Sequence, residues 1–148
     1  MKIRKILKSD HDFFIAASTT FYSSEAVSHG IPADYHESAF EELMRSDRYQ
    51  EGFILEADGV AAGYALISKT YSREAGGTVW WLEELFLYPE YRSMGFGHLY
   101  FDFIEKKAVK AGVKRLRLEV SDANTRAAAL YSKLGYTPLG YSQMIKEF

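Results

Sequence analysis

Three groups of residues in this chain are suited to chemistry by type and spacing. The first is Arg92-Ser93-Met94-Gly95-Phe96-Gly97, followed by His98, where two glycines one residue apart stand directly before an amphipathic run. Helix N-termini hold unsatisfied N–H groups and roughly half a positive charge, so such a turn suits an anion, a phosphate above all. Glycine lets the phosphate approach the backbone, and consecutive N–H groups can form a small nest. The bland alternative is a plain connecting turn. Arg92 either meets a phosphate, steadies the loop or faces solvent.

The second group is Glu83 and Glu84, adjacent inside the run VWWLEELFL. Two carboxylates among Trp, Leu and Phe are poor strand formers and costly to bury. Adjacent strand residues point to opposite faces, so the pair shares one role only if a bulge intervenes. The third group is Asn124 and Tyr131, seven residues apart and therefore on one side of a helix to within about 20°. An ordinary N-cap and an aromatic core residue are the competing readings for these two. The four histidines show no spacing that suggests a metal site, and His29 and His36 are expected in a mobile loop that meets the acceptor.

The elements that must position these groups read as follows. Residues 2–7 alternate as a short strand, and Ser9 or Asp10 caps a helix reaching about Tyr22. A loop over residues 23–34 precedes a shorter helix over 35–45. Strands over 52–57 and 60–71 flank Asp58-Gly59, a pair that tolerates positive φ and marks a hairpin. Residues 78–87 form a long strand that stops before Pro89. The run 97–111 has helical spacing and ends at Gly112. A strand over 114–120, a helix over 124–134 and a last strand over 140–146 complete the order. The pattern predicts a mixed α/β domain spanning residues 1–148, with three consecutive antiparallel strands and then crossovers, not a doubly wound sheet.

Composition narrows the function classes. The chain has 148 residues, 47% hydrophobic, 16% aromatic and 26% charged, a globular mixture long enough for one sizeable core. The absence of cysteine excludes a disulfide scaffold, a zinc ribbon and a thiolate nucleophile. No signal-peptide core or membrane-length apolar stretch is present, which makes a cytoplasmic location the expectation. A net charge of −2 does not argue for nucleic acid. Charge is unevenly spread, with eight acids and two arginines over residues 25–56 against seven bases and two acids over 92–117. Two solvated faces explain this, as does a basic half for a polyanionic cofactor beside an acidic half for a cationic substrate.

Three phosphate motifs compete for the glycine loop. A Walker A loop requires Gly-Lys-Ser/Thr, whereas His98 follows Gly97. A dinucleotide fingerprint requires a third small residue where Tyr100 stands. The remaining pattern, R-x-x-G-x-G after a long strand, resembles the coenzyme A pyrophosphate loop of the GNAT superfamily of N-acetyltransferases. The resemblance extends to the acids in LEELFLYPEYR and to the Asn and Tyr in NTRAAALYSKLGY. WLEELFLYPEYR and LYSKLGY are most similar to the diamine, spermidine/spermine-type members.

What the resemblance implies is specific. The GNAT fold has a central, mostly antiparallel sheet of about six to seven strands and about four helices, with a splayed parallel pair at the coenzyme A site. Acetyl-CoA is the co-substrate, no metal is used, and an amine attacks the thioester directly in a ternary complex. Glu83 matches the acid that activates the amine through water, with Glu84 as the second candidate or a positioning group. Tyr131 matches the acid that protonates the departing thiolate. Main chain at Leu85, Phe86 and Leu87 would pair with the pantetheine arm, and residues 93–98 with the pyrophosphate. Asn124 would bond the pantetheine amide, while Arg126 and Lys133 are candidates for the 3′-phosphate. The acceptor implied is a small cationic amine such as a polyamine; a protein or peptide amine is an alternative acceptor. Rival classes are a non-catalytic acyl-CoA sensor and a nucleotide-binding domain using the same glycines. Neither nucleic acid nor a membrane is an expected partner. Homodimers are common in the superfamily, though no interface is legible in the sequence.

Overall fold

In a computed structural model of the chain, which describes residues 1–24, 27 and 29–147, the elements follow the predicted order through the fourth helix. They run β1 (Lys2–Lys5), α1 (His11–Tyr22), α2 (Ala33–Arg45), β2 (Gln50–Ala57), β3 (Val60–Ser72), β4 (Gly77–Leu87), α3 (Phe96–Lys110), β5 (Arg115–Leu118) and α4 (Thr125–Lys133). Glu25, the first acid of the acidic stretch, and part of the loop expected over 23–34 lie outside the described residues. The Asp58-Gly59 turn has positive φ at both positions, 51° and 83°, and joins β2 to β3.

The sheet is ordered β1-β2-β3-β4-β5, antiparallel throughout except for the parallel β4–β5 pair. This is the expected mixed GNAT architecture with four helices. The strand count differs, because the described residues form five strands rather than six or seven. Residues 140–146, which read as a last strand, form none. The alternation there brings no burial: Tyr141 is 71%, Met144 96% and Ile145 80% exposed. Without a paired ladder or a buried face, strand propensity alone does not hold an extended segment.

Each face of the sheet carries its own core. On one, Trp80, Leu82, Phe101 and Ile104 pack between the sheet and α3; on the other, Phe14, Phe40, Ile54, Tyr64 and Phe86 pack between the sheet and α1 and α2. Phe96, Tyr100, Ile104 and Ala108, spaced by four, give α3 its buried stripe. A buried carboxylate helps to hold α3 in place. Glu51 on β2 receives Lys107 of α3 at 2.8 Å and Lys69 of β3 at 3.1 Å.

Two irregularities shape the far end of β4. Leu66 is paired with Glu84 and Ile67 with Leu82, so Glu83 is an extra residue in β4, a β-bulge. The parallel ladder with β5 ends at Leu82↔Leu118, while β4 continues five residues to Leu87. From Glu83 onward the two strands have parted, and α3 and α4 flank the gap.

Candidate active site

The gap between the free end of β4 and α4 is a cleft of ≈ 800 Å³. Leu85, Phe86 and Leu87 form one wall; Asn124, Arg126, Ala127, Leu130 and Tyr131 form the opposite one; the loop Arg92–Gly97 and His98 close its end. The sequence-predicted cofactor residues therefore converge, with two exceptions. Met94 is 54% exposed and does not line the cleft. Lys133 is exposed and does not line it either.

The loop is built to present its backbone. Gly95 caps α3 at φ 88°, and Ser93 also has positive φ, 64°, so two tight left-handed residues turn the chain into the helix. The first backbone bond back to the cap runs from the Leu99 N–H to the Gly95 carbonyl at 3.1 Å. The N–H groups of Phe96, Gly97 and His98 precede it and have no carbonyl one turn back within the helix. A side chain at Gly97 would meet Leu130 Cδ2 at 3.4 Å, an ordinary contact, so internal packing does not demand glycine there. Arg92 donates from Nε to the Leu87 carbonyl at 2.9 Å and so steadies the loop against the end of β4. Arg126 reaches across from α4 to the Ser93 hydroxyl at 2.7 Å. Asn124 is an N-cap, its Oδ1 accepting from the Ala127 N–H at 3.2 Å, and it lines the cleft as well.

Tyr131 is half-buried against Phe101 and Tyr136, with ring centroids 5.5 and 6.2 Å away. Burial raises its pKa, so its hydroxyl keeps its proton at neutral pH.

The bulge decides how the two acids stand. Before it, Trp80 and Leu82 face the α3 core; after it, Leu85 and Leu87 do so and Phe86 faces the other core. The extra residue brings both carboxylates to the α1/α2 face. Glu84 accepts from the Tyr64 hydroxyl at 2.5 Å and from the Tyr22 hydroxyl at 2.9 Å. Glu83 is exposed and accepts from the Ser68 hydroxyl. Burial raises the pKa of Glu84, the two tyrosine bonds oppose that rise, and the charge of Glu83 adds to it. Neither acid lines the coenzyme-sized cleft itself; they lie on the sheet face behind it.

Tyr22, Tyr64 and Ser68 are partners of the acids that sequence reasoning did not identify. Tyr22 and Tyr64 lie 62 and 20 residues from Glu84, and no local pattern announces the contacts. His36, expected in the acceptor loop, is instead buried on α2, where its ring meets Tyr22 edge-on at 5.8 Å and joins α1 to α2 beside the acids.

Comparison with known proteins identifies the family. Residues 12–136 match the acetyltransferase (GNAT) family. The chain is 34% identical over 108 residues to the thialysine N-epsilon-acetyltransferase of Bos taurus, covering 64% of this chain and 63% of that one. It is 33% identical over 109 residues to the L-ornithine N5-acetyltransferase NATA1 of Arabidopsis thaliana, covering 72% of this chain and 45% of that one. It thus spans under two thirds of the length of these two relatives. Among solved structures, a possible acetyltransferase from Clostridium difficile 630 superposes with a TM-score of 0.85 at 19% identity, covering 99% of this chain and 97% of that one. AAC(6')-Iy, solved with a bisubstrate analogue of CoA and acetylneamine, superposes with a TM-score of 0.81 at 22% identity, covering 99% and 97%. These two share the fold. With the family match spanning most of its length, the chain belongs to the GNAT family of acetyltransferases.

Proposed function

We propose that the chain transfers the acetyl group of acetyl-CoA to the primary amine of a small cationic acceptor by direct attack in a ternary complex. The observation that carries this reading is the cleft where β4 and β5 part. It is bounded by free strand backbone, a glycine-rich helix N-terminus and Tyr131. The pyrophosphate would lie on the N–H groups of residues 93–98, the pantetheine arm along residues 85–87, and the 3′-phosphate near Arg126. The relatives named above are enzymes of thialysine and of L-ornithine, which supports a small amine as acceptor.

The amine is the difficult partner. A lysine-like amine has a pKa of about 10.4, so at neutral pH under about one part in a thousand is nucleophilic. Two carboxylates on one face attract the ammonium, and one of them accepts its proton. Glu83, exposed to water, takes the proton through a water molecule. Glu84, fixed by Tyr22 and Tyr64, supplies fixed negative charge. Such proton removal is worth about 10²–10⁴ in rate. A β4 N–H aimed at the thioester carbonyl would stabilise the oxyanion, and Tyr131 would protonate the leaving thiolate. Holding both reactants in one cleft contributes up to roughly 7–11 kcal/mol in well-oriented systems. The test is a thiol-release assay with acetyl-CoA and a panel of small amines: amine-dependent release is expected, and acetyl-CoA binding without release would mark a sensor instead.

A further inference from the structure

On β4 the residues that would handle the acceptor precede those that would handle the thioester. Leu85 to Leu87 line the cleft, Glu83 and Glu84 come before them, and Trp81 stands two residues before Glu83. Ser68, the register partner of Trp81 on β3, donates to Glu83, so Ser68, Trp81 and Glu83 share one face. Arg117 is the register partner of Trp81 on β5, and its guanidinium lies 4.2 Å from the centre of the Trp81 ring system. Its neighbours Leu116 and Leu118 pack on the α3 core, which places Arg117 on the opposite face, that of the acids.

Arg117 is a cation whose ring contact sets its orientation, with Glu119 two residues further along the chain. It is half-buried and borders a cavity of ≈ 990 Å³ between β5, α4 and residues 134–143, with Trp81 beside it and Glu105, Glu119 and Asp122 also on the lining. Among the described residues it makes no ion pair, whereas Arg115 on the same strand pairs with Glu74 at 3.5 Å. Glu119, the next acid along, is bonded by Gln143. A guanidinium resting on an indole keeps its N–H edge free, and that edge matches a carboxylate in bidentate fashion.

Building on the acetyltransferase reading, we propose that Arg117 receives a carboxylate of the acceptor, which makes the acceptor an α-amino acid with a terminal side-chain amine rather than a plain diamine. The spacing agrees. Trp81 to Glu83 and Glu84 is two to three strand residues, roughly 7–10 Å. An amino acid with three or four side-chain methylenes spans roughly 6–8 Å from carboxylate to terminal nitrogen at ordinary bond lengths. With the carboxylate at Arg117, the amine lies at the acids, next to Leu85 and the thioester. A diamine in the same pose would set an ammonium against Arg117, and like charges there select against it.

The test uses acceptor pairs that differ only in the carboxylate: L-ornithine against 1,4-diaminobutane, and L-lysine against 1,5-diaminopentane. A charge-assisted carboxylate contact is worth about tenfold or more in affinity, so wild-type kcat/KM should favour the amino acid by at least that factor. Arg117→Gln should remove the preference by raising KM for the amino acid with kcat little changed. Its rate on the diamine should rise as the like charge is removed, which also shows that the variant is folded. Arg117→Lys should recover part of the preference. A wild-type protein that prefers the diamines, or a variant that loses activity equally on both members of a pair, overturns the role of Arg117 while leaving the acetyltransferase reading standing. Acetyl-CoA binding with no transfer to any of the four compounds overturns that reading, and this proposal with it.

Discussion

The Tyr64 hydroxyl, on the middle strand of an antiparallel trio, donates to the Glu84 carboxylate at 2.5 Å. Tyr64 is fully buried, so the contact carries a carboxylate into the aromatic core behind the cleft. Tyr22, at the last position of α1, completes the cradle from the other side. Glu84 is thereby held in one orientation beside the exposed Glu83.

This cradle has a pH signature. Burial raises the pKa of Glu84, and the hydrogen bonds from Tyr64 and Tyr22 lower it. If the charged pair binds the ammonium, kcat/KM for the amine falls as pH drops through that raised value, above the ordinary glutamate range. Tyr22→Phe removes a bond to the charged form, so the acid limb moves to higher pH. A pH series of kcat/KM on both proteins checks this; an unmoved limb would release Glu84 from the role.

The same group links stability to pH. With its folded pKa raised, Glu84 binds its proton more tightly in the folded chain than in the unfolded one. Stability is then lost as pH rises from the ordinary glutamate value through the raised one. Glu84→Gln lacks that loss, so its melting temperature should gain on the wild type across this window. Parallel melting curves over pH would contradict the assignment.

Glu83→Gln should leave the fold intact, since the side chain is exposed, and lower kcat by about 10²–10⁴. The comparison of steady-state rates with Glu84→Gln separates the two acids. Loss concentrated in kcat for Glu83→Gln and in amine KM for Glu84→Gln is expected; the reverse pattern would exchange their roles.

Tyr131→Phe removes only a hydroxyl from a half-buried ring whose aromatic neighbours remain. It should lower kcat at least about tenfold, with the acetyl-CoA KM little changed. Unchanged turnover would remove the acid role.

How much of this was legible in the sequence depends on the range of each interaction. The Asp58-Gly59 hairpin and the Gly95 turn into α3 are local, because positive φ is written in the residue type. The stripe Phe96, Tyr100, Ile104, Ala108 is local too. Glu83 and Glu84 could be marked as odd for a strand, yet whether they share a face depends on the register with Leu66 and Ile67, a cross-strand property. Tyr22 and Tyr64 meet Glu84 only through chain folding. Residues 140–146 show the opposite failure: alternation was present, and the ladder it needed was not.

If main-chain hydrogens at the start of α3 hold the coenzyme A diphosphate, titration calorimetry of acetyl-CoA against the wild type and Gly97→Asp will show it. An aspartate in the first turn complements the helix dipole and has room beside Leu130, so the fold should persist while charge and bulk repel the phosphates. The wild type should bind acetyl-CoA and the folded variant should show no measurable binding; a folded variant with wild-type affinity would place the diphosphate elsewhere.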